Sequence, residues 1–211
     1  MNRKLIIVGA GSVGLHLAAN ADMYGIKEHL IGFVDDDPGK QAGSYYGYPV
    51  LGTLSYVLEQ QDIDVVIGIA FPDVKKKIVK KLSGNDSLGF PGLIAKAHSW
   101  ISADCSIGKG VIIYPGCSIN YGSVIGDFVV MNMNCALGHH ATVGRYSSLA
   151  PGVCFGGHTT VGEGVDIGIG AATIQNTLIG DGAVIGGQSM IIRNVEAGET
   201  VVGVPAKNKS I

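Results

Sequence analysis

Three imidazoles crowd the stretch NCALGHHATVGRYSSLAPGVCFGGHTTVG, residues 134–162: His139 and His140 are adjacent, and His158 follows His140 by eighteen residues. Histidine is the side chain whose unperturbed titration falls near neutral pH, and it is also a common metal ligand. The trio therefore offers a catalytic base with helpers, a metal site, or polar decoration on a glycine-rich repeat. A second group, near the start of the chain, suits different chemistry. Gly9, Gly11 and Gly14 form a GxGxxG turn directly after the apolar run LIIV, and Asp35, Asp36 and Asp37 follow, Asp35 standing twenty-one residues after Gly14. Glycines at this spacing let amides at a helix N-terminus approach phosphate, and an acid about twenty residues further on reaches ribose hydroxyls.

What must hold the histidines is legible in the glycines. The chain has 33 of them, most beyond residue 100 and in regular rhythm. Stepping by six from Ile101 to Ile191 meets sixteen positions, and all but Thr173 are apolar. An α-helix advances about 100° per residue, so a six-residue step would scatter these side chains around its circumference. Six is a multiple of the strand period of two, and short strands separated by glycine-containing corners keep every anchor on one inward face. The fifth residue of the unit agrees, being small or modestly apolar at Cys105, Val111, Cys117, Ser123, Cys135, Ala141, Ser147, Val153, Ala171 and Ala183. The pattern predicts a parallel β-solenoid.

The N-terminal part is built otherwise. LIIVGAGSVG reads as strand, glycine turn and the start of a helix that continues through LHLAANADMYG; HLIGFVDDD reads as a second strand, VVIGIA as a third and LGFPGLIA as a short fourth. Between the last two, PDVKKKIVKKL reads as an amphipathic helix with Lys75, Lys76, Lys77, Lys80 and Lys81 on a solvated face. The repeat begins near residue 97. This leaves room for half of a doubly wound sheet, a site better sized for a nucleotide-sugar than for NAD. The expected domains are 1–97, an α/β half-Rossmann nucleotide-sugar-binding domain, and 98–211, the solenoid.

Composition narrows the partners. Of 211 residues 46% are hydrophobic and 15% charged, enough for substantial cores, and a net charge of −2 provides no long-range attraction for nucleic acid or anionic membrane. No run is long enough for a membrane span, and the basic start leads into the glycine motif instead of a cleavage site, so a cytoplasmic location is expected. Cys105, Cys117, Cys135 and Cys154 lack CxxC or zinc-like spacing and are expected to be small interior fillers.

The units IGKGVI, VGEGVD, IGIGAA and IGDGAV resemble the hexapeptide repeats of left-handed β-helix acyltransferases, whose three six-residue sides close an 18-residue triangular coil. The resemblance, not the spacing, implies the left-handed winding, since ordinary crossovers favour the opposite hand. The ending VVGVPAK, Val201–Lys207, is similar as well. With the half-Rossmann start, essentially the whole chain resembles the bacterial sugar O- or N-acyltransferases of the sialic-acid O-acetyltransferase (NeuD/PglD-like) family. Membership implies acetyl-CoA as co-substrate, a nucleotide-sugar acceptor, a role in cell-surface polysaccharide biosynthesis, and a homotrimer with active sites between subunits.

Given 18-residue coils, residues eighteen apart stack about 4.8 Å apart. One column reads Tyr121, His139, Gly157, Gln175, and its neighbour Gly122, His140, His158, Asn176. His139 thus lies over a glycine, where a ligand can approach backbone closely. The resemblance implies that His139 is the general base for attack of a sugar amine or hydroxyl on the thioester, and that the Gly157 N–H polarises the thioester carbonyl. His140 stands where the family carries a carboxylate, a departure that leaves His139 oriented by a neutral ring. By the same alignment Gly9, Gly11, Ser12, Val13, Asp35, Asp36, Ala70 and Asn132 bind the nucleotide-sugar, although Ser12 and Val13 replace a Gly-His pair usual in the family. The CoA arm aligns to Ser148, Gly157, Ile169 and Gly187, and no metal is expected.

Rival readings remain. His140 and His158 can form an exposed polar ladder. A metal hydratase like the γ-type carbonic anhydrases would use the same fold, but its GHxxxxH pattern is absent: Gly144 and Arg145 stand five residues after His139 and His140. A non-catalytic nucleotide-sugar-binding scaffold would keep both folds without turnover.

Overall fold

The computed structural model describes residues 3–209 and divides the chain into two compact units, one running to Ala70 and including Val74–Gly92, the other comprising Phe71–Asp73 and everything from Leu93. In the first unit β1 (Leu5–Val8) enters α1 (Ser12–Ala19), followed by β2 (Leu30–Val34), a small hairpin of β3 (Ser44–Tyr45) and β4 (Tyr48–Pro49), the short α2 (Leu54–Leu58), β5 (Asp64–Ile67) and α3 (Pro72–Leu82). β1 lies between β2 and β5 in a three-stranded parallel sheet, order β2-β1-β5. All of β1 and most of β2 and β5 are buried, as their continuous apolar runs require.

Two expectations fail here for local reasons. LGFPGLIA adds no fourth strand to this sheet. Gly89 makes a single parallel bridge to Asp64, Pro91 has no N–H to continue a ladder, and Leu93–Ile94 pairs instead with Ile112–Ile113 in the second unit. The lysines of α3 do not all face water: Lys75 is only 1% exposed, because it shares the helical stripe of buried Val79 and Leu82, while Val74 stands out.

The second unit is a left-handed parallel β-helix of about six coils. Short strands fall on three sheets of six, five and eight members, and from Trp100 to Ile191 the two-residue strands pair at a step of eighteen residues, as in Ser118↔Ala136↔Cys154. The second residue of each pair is the predicted anchor, and from Ile113 to Ile191 every anchor is buried. Thr173 joins this core without an unsatisfied hydroxyl, since its Oγ1 accepts the Gly156 N–H at 3.1 Å and lies 2.8 Å from Thr159 Oγ1. Cys117 and Cys135 fill the interior and Cys105 is half-buried, but Cys154 is exposed. It precedes its anchor Phe155, and the strand alternation that turns Phe155 inward turns Cys154 out. Among the described residues no helix is long and apolar enough to cross a membrane.

Candidate active site

The corners of the solenoid dictate where the histidines point. At every sixth position from Gly110 to Gln188 the backbone turns with positive φ. Glycine occupies half of these corners and Asn134 and Asn176 take two more, but His140 and His158 adopt the same conformation at φ 56° and 58°. A side chain there costs about 1 kcal/mol relative to glycine. His139 immediately precedes such a corner.

The rings converge more tightly than the column register implies. His139 Nδ1 lies 3.1 Å from His140 Nδ1. His140 and His158 stack with centroids 4.9 Å apart and planes within 3°, and His139 meets His158 edge-on at 5.0 Å. Tyr121, one coil before His139, stacks on that ring at 5.4 Å and 11°. On the other side His139 covers Gly157: a Cβ built there would stand 2.7 Å from Nε2 and 2.8 Å from Cε1. Gly157 is not in the left-handed region, so the ring above it, and not the backbone, demands glycine.

The amide beneath that ring is available. At the same position in several other hexads, though not all, the N–H is taken by a side-chain oxygen: Lys109 donates to Asp127 at 2.9 Å, Met133 to Asn132 at 2.8 Å and Glu163 to Asp181 at 2.7 Å. Among the described residues none accepts the Gly157 N–H. A position that binds oxygen elsewhere in the solenoid is thus left open beside an imidazole, the arrangement needed to polarise a carbonyl next to a proton acceptor.

His140 leans the opposite way, over Gly122, where a Cβ would meet its Cδ2 at 2.6 Å. One coil further in the same column lies Asp104, whose Oδ2 accepts the Gly122 N–H at 2.9 Å. The Ser102 hydroxyl, bonded to Asp104 Oδ1 at 2.8 Å, holds this carboxyl below the usual carboxylate range; the Gly122 amide and the positive form of His140 act in the same direction. The eighteen-residue step back from Gly122 would have found this acid in the sequence. Tyr121 was in the column already, but its stacking required coordinates.

Residues aligned to the CoA arm are spread along the coils. Ile169 is exposed, a Cβ on Gly187 would touch the Ile169 carbonyl oxygen at 3.2 Å, and Ser148 is buried in its strand. Asn132 spends its Oδ1 on the Met133 amide.

In the first unit a cleft of about 210 Å³ gathers Gly9, Asp35, Asp36, Ile69 and Leu54, with Val74 and Ile78 of α3. Gly9 has φ +97°, and a Cβ on Gly14 would collide with the Gly9 carbonyl oxygen at 1.9 Å, so both glycines are needed by the turn itself. Gly11 differs: a Cβ there meets nothing, which leaves open space beside the first amides of α1. Ser12 is exposed, whereas Val13 packs into the core and presents only backbone outward. Asp35 is committed within the unit, accepting from the Ala10 N–H at 2.8 Å and from Lys40 Nζ at 2.9 Å. Burial alone would raise its carboxyl, but the Lys40 ammonium and the Asp37 and Ala10 amides bring it below the usual range. Asp36 Oδ1 accepts the Leu54 N–H at 2.8 Å and thereby caps α2. Ala70 is half-buried and is not among the cleft-lining residues.

Known proteins carry both halves of this architecture. Residues 4–82 match the family model described as the PglD N-terminal domain. No curated protein matches the chain. Among solved structures it is similar to PerB from Caulobacter crescentus in complex with CoA and GDP-perosamine, at 25% identity over 100% of this chain and 99% of that one, with a TM-score of 0.89. The acetyltransferase domain of PglB from Neisseria gonorrhoeae, solved also with acetyl coenzyme A, is 28% identical over 99% of this chain and 100% of that one, with a TM-score of 0.79. WeeI from Acinetobacter baumannii, at 24% identity over 99% of this chain and 100% of that one and a TM-score of 0.69, shares the fold. The first unit is thus similar to the PglD N-terminal domain, and the whole length of the chain is similar in fold to solved acetyltransferases.

Proposed function

We propose that the protein transfers an acetyl group from acetyl-CoA to an amine or hydroxyl of a nucleotide-activated sugar. The single observation carrying this is the His139 ring lying over Gly157, whose amide is left open. His139 takes the proton of the attacking amine or hydroxyl at Nε2, the edge toward Gly157, while its Nδ1 is held by His140. The sugar nitrogen or oxygen then bonds to the thioester carbon, and the Gly157 N–H supports the charge that develops on the carbonyl oxygen. The C–S bond breaks as the proton held by His139 passes to the departing sulfur, releasing CoA as its thiol. A preorganised amide of this kind is worth on the order of 3 kcal/mol in a water-poor site. With Nδ1–H donated to His140 Nδ1, His140 carries its own proton on Nε2, and Asp104 two coils before it supplies the negative field that a carboxylate neighbour would give.

Ser148, Ile169 and Gly187, with Gly157, are assigned to the CoA arm, and Asn132 to the sugar. The nucleotide is assigned to the cleft of the 1–97 domain, with Gly9, Gly11, Ser12, Val13, Asp35, Asp36 and Ala70. The solenoid, 98–211, is the transferase domain, working in the cytoplasm as a homotrimer that completes the site between subunits. PerB, solved with CoA and GDP-perosamine, supports this class of acceptor and makes GDP-perosamine the first sugar to try. The test is a thermal-shift panel of UDP-, GDP-, dTDP- and CMP-sugars with and without acetyl-CoA, followed by thiol release on whichever binds. A selective shift with CoA release supports the reading. Binding without any release identifies a sugar-binding scaffold instead.

A further inference from the structure

His158 has no part in the acetyl transfer just described, yet its ring and those of His139 and His140 bring one potential ligand nitrogen each to within 4.8 Å of one another. Two nitrogens bound to a tetrahedral zinc at about 2.0–2.1 Å stand about 3.3 Å apart. The His139 and His140 Nδ1 atoms, at 3.1 Å, already have that spacing. His158 is exposed, and its ring lies parallel to that of His140 and edge-on to that of His139. Neither His140 nor His158 holds its corner for backbone reasons, since glycine fills equivalent corners at lower cost. Three neutral imidazoles on one solvent-facing edge, without a carboxylate among the three, favour borderline ions such as Zn²⁺ over Mg²⁺ or Ca²⁺, which prefer oxygen.

We propose that His139, His140 and His158 of a single chain form a three-nitrogen site for a divalent transition-metal ion, Zn²⁺ foremost, and that its occupancy switches the transferase off. An ion on His139 Nδ1 uses the lone pair there and leaves the ring proton on Nε2, over Gly157. That edge then donates and cannot accept a proton. The inhibitory half of the proposal rests on the acetyl-transfer reading; the binding half does not.

The full chain is stripped with EDTA and titrated with Zn²⁺ by calorimetry, and with Co²⁺ for the visible bands of a low-symmetry, nitrogen-rich site. One ion per chain is expected, with Mg²⁺ unable to compete. His158→Asn keeps the corner conformation, as Asn176 does one coil on at φ 57°. In this variant zinc affinity falls about tenfold or more, as loss of one of three ligands entails. Its turnover in EDTA equals wild type, and roughly tenfold more zinc is needed to inhibit it. His139→Asn weakens binding to a similar degree. Zinc affinity unchanged in His158→Asn, or no stoichiometric binding, overturns the site. Stoichiometric binding lost in both variants, with zinc leaving wild-type turnover intact, keeps the site and overturns the switch. Absence of turnover in metal-free protein counts against the acetyl-transfer reading alone, since the titrations are decided independently of it.

Discussion

Gly157→Ala separates the reacting geometry from the fold. The new methyl would stand 2.7 Å from His139 Nε2 and 2.8 Å from Cε1, where ordinary contact begins at 3.4 Å, so the imidazole must retreat by about 0.7 Å. The backbone at Gly157 is acceptable to alanine, and the obstructing atoms end a side chain that can turn. Stability should therefore change little, within about 0.5–1 kcal/mol. Turnover should not survive so well. A misplacement approaching 1 Å at a reacting group costs about 10²-fold, or roughly 2.7 kcal/mol of transition-state stabilisation. The assay is acetyl-CoA-dependent thiol release with the sugar selected by thermal shift, beside a melting curve. Gly138→Ala is the control: its methyl would lie 2.5 Å from the Gly157 backbone nitrogen and 2.8 Å from the Gly156 carbonyl carbon, neither of which can turn aside, so it should lower the melting temperature. Gly157→Ala with kcat within twofold of wild type and an unchanged melting curve would refute the placement of the reacting carbonyl between His139 and Gly157.

Four further outcomes follow from the same contacts. His139→Asn should cut kcat by about 10²–10⁴-fold while CoA still shifts the melting temperature; a loss under tenfold moves the base elsewhere. If His140 does a carboxylate's work, His140→Ala should lower kcat by about 10–100-fold and His140→Asp should restore most of it; equal rates in both variants would leave His140 without a positioning role. Gly14→Ala forces a methyl to within 1.9 Å of the Gly9 carbonyl oxygen and should destabilise the first unit by about 1–3 kcal/mol, read by hydrogen exchange in β1 and α1. Asp35 has its carboxyl held below the usual range by Lys40 and two amides, so its contribution is present above the unfolded value near 3.9 and is lost as pH falls through the lower folded value. Asp35→Asn should accordingly flatten the fall in stability below about pH 4 and leave its slope near neutrality unchanged, checked by urea denaturation across pH.

The six-residue rhythm determined the solenoid because an inward face must repeat wherever the strand alternation and the corner repeat, and no helix shares that period. It also determined which residues are coil neighbours, so His139 over Gly157 was readable before any coordinate. GxGxxG likewise announced its turn, since Gly9 and Gly14 answer to backbone geometry inside a few residues. What the period leaves open is the direction of a side chain at a left-handed corner. His140 leans back over Gly122 and His139 forward over Gly157, choices made by which neighbouring coil lacks a Cβ, and together they bring three apparently separate imidazoles within reach of one ion. The same limit explains the misses. Lys75 is buried by its place on a helix face whose packing partners lie elsewhere in the chain, and Leu93–Ile94 takes its hydrogen bonds from Ile112–Ile113 once Pro91 interrupts the run. Local spacing sets backbone position, whereas side-chain direction and strand choice are settled by contacts between segments that only the folded chain brings together.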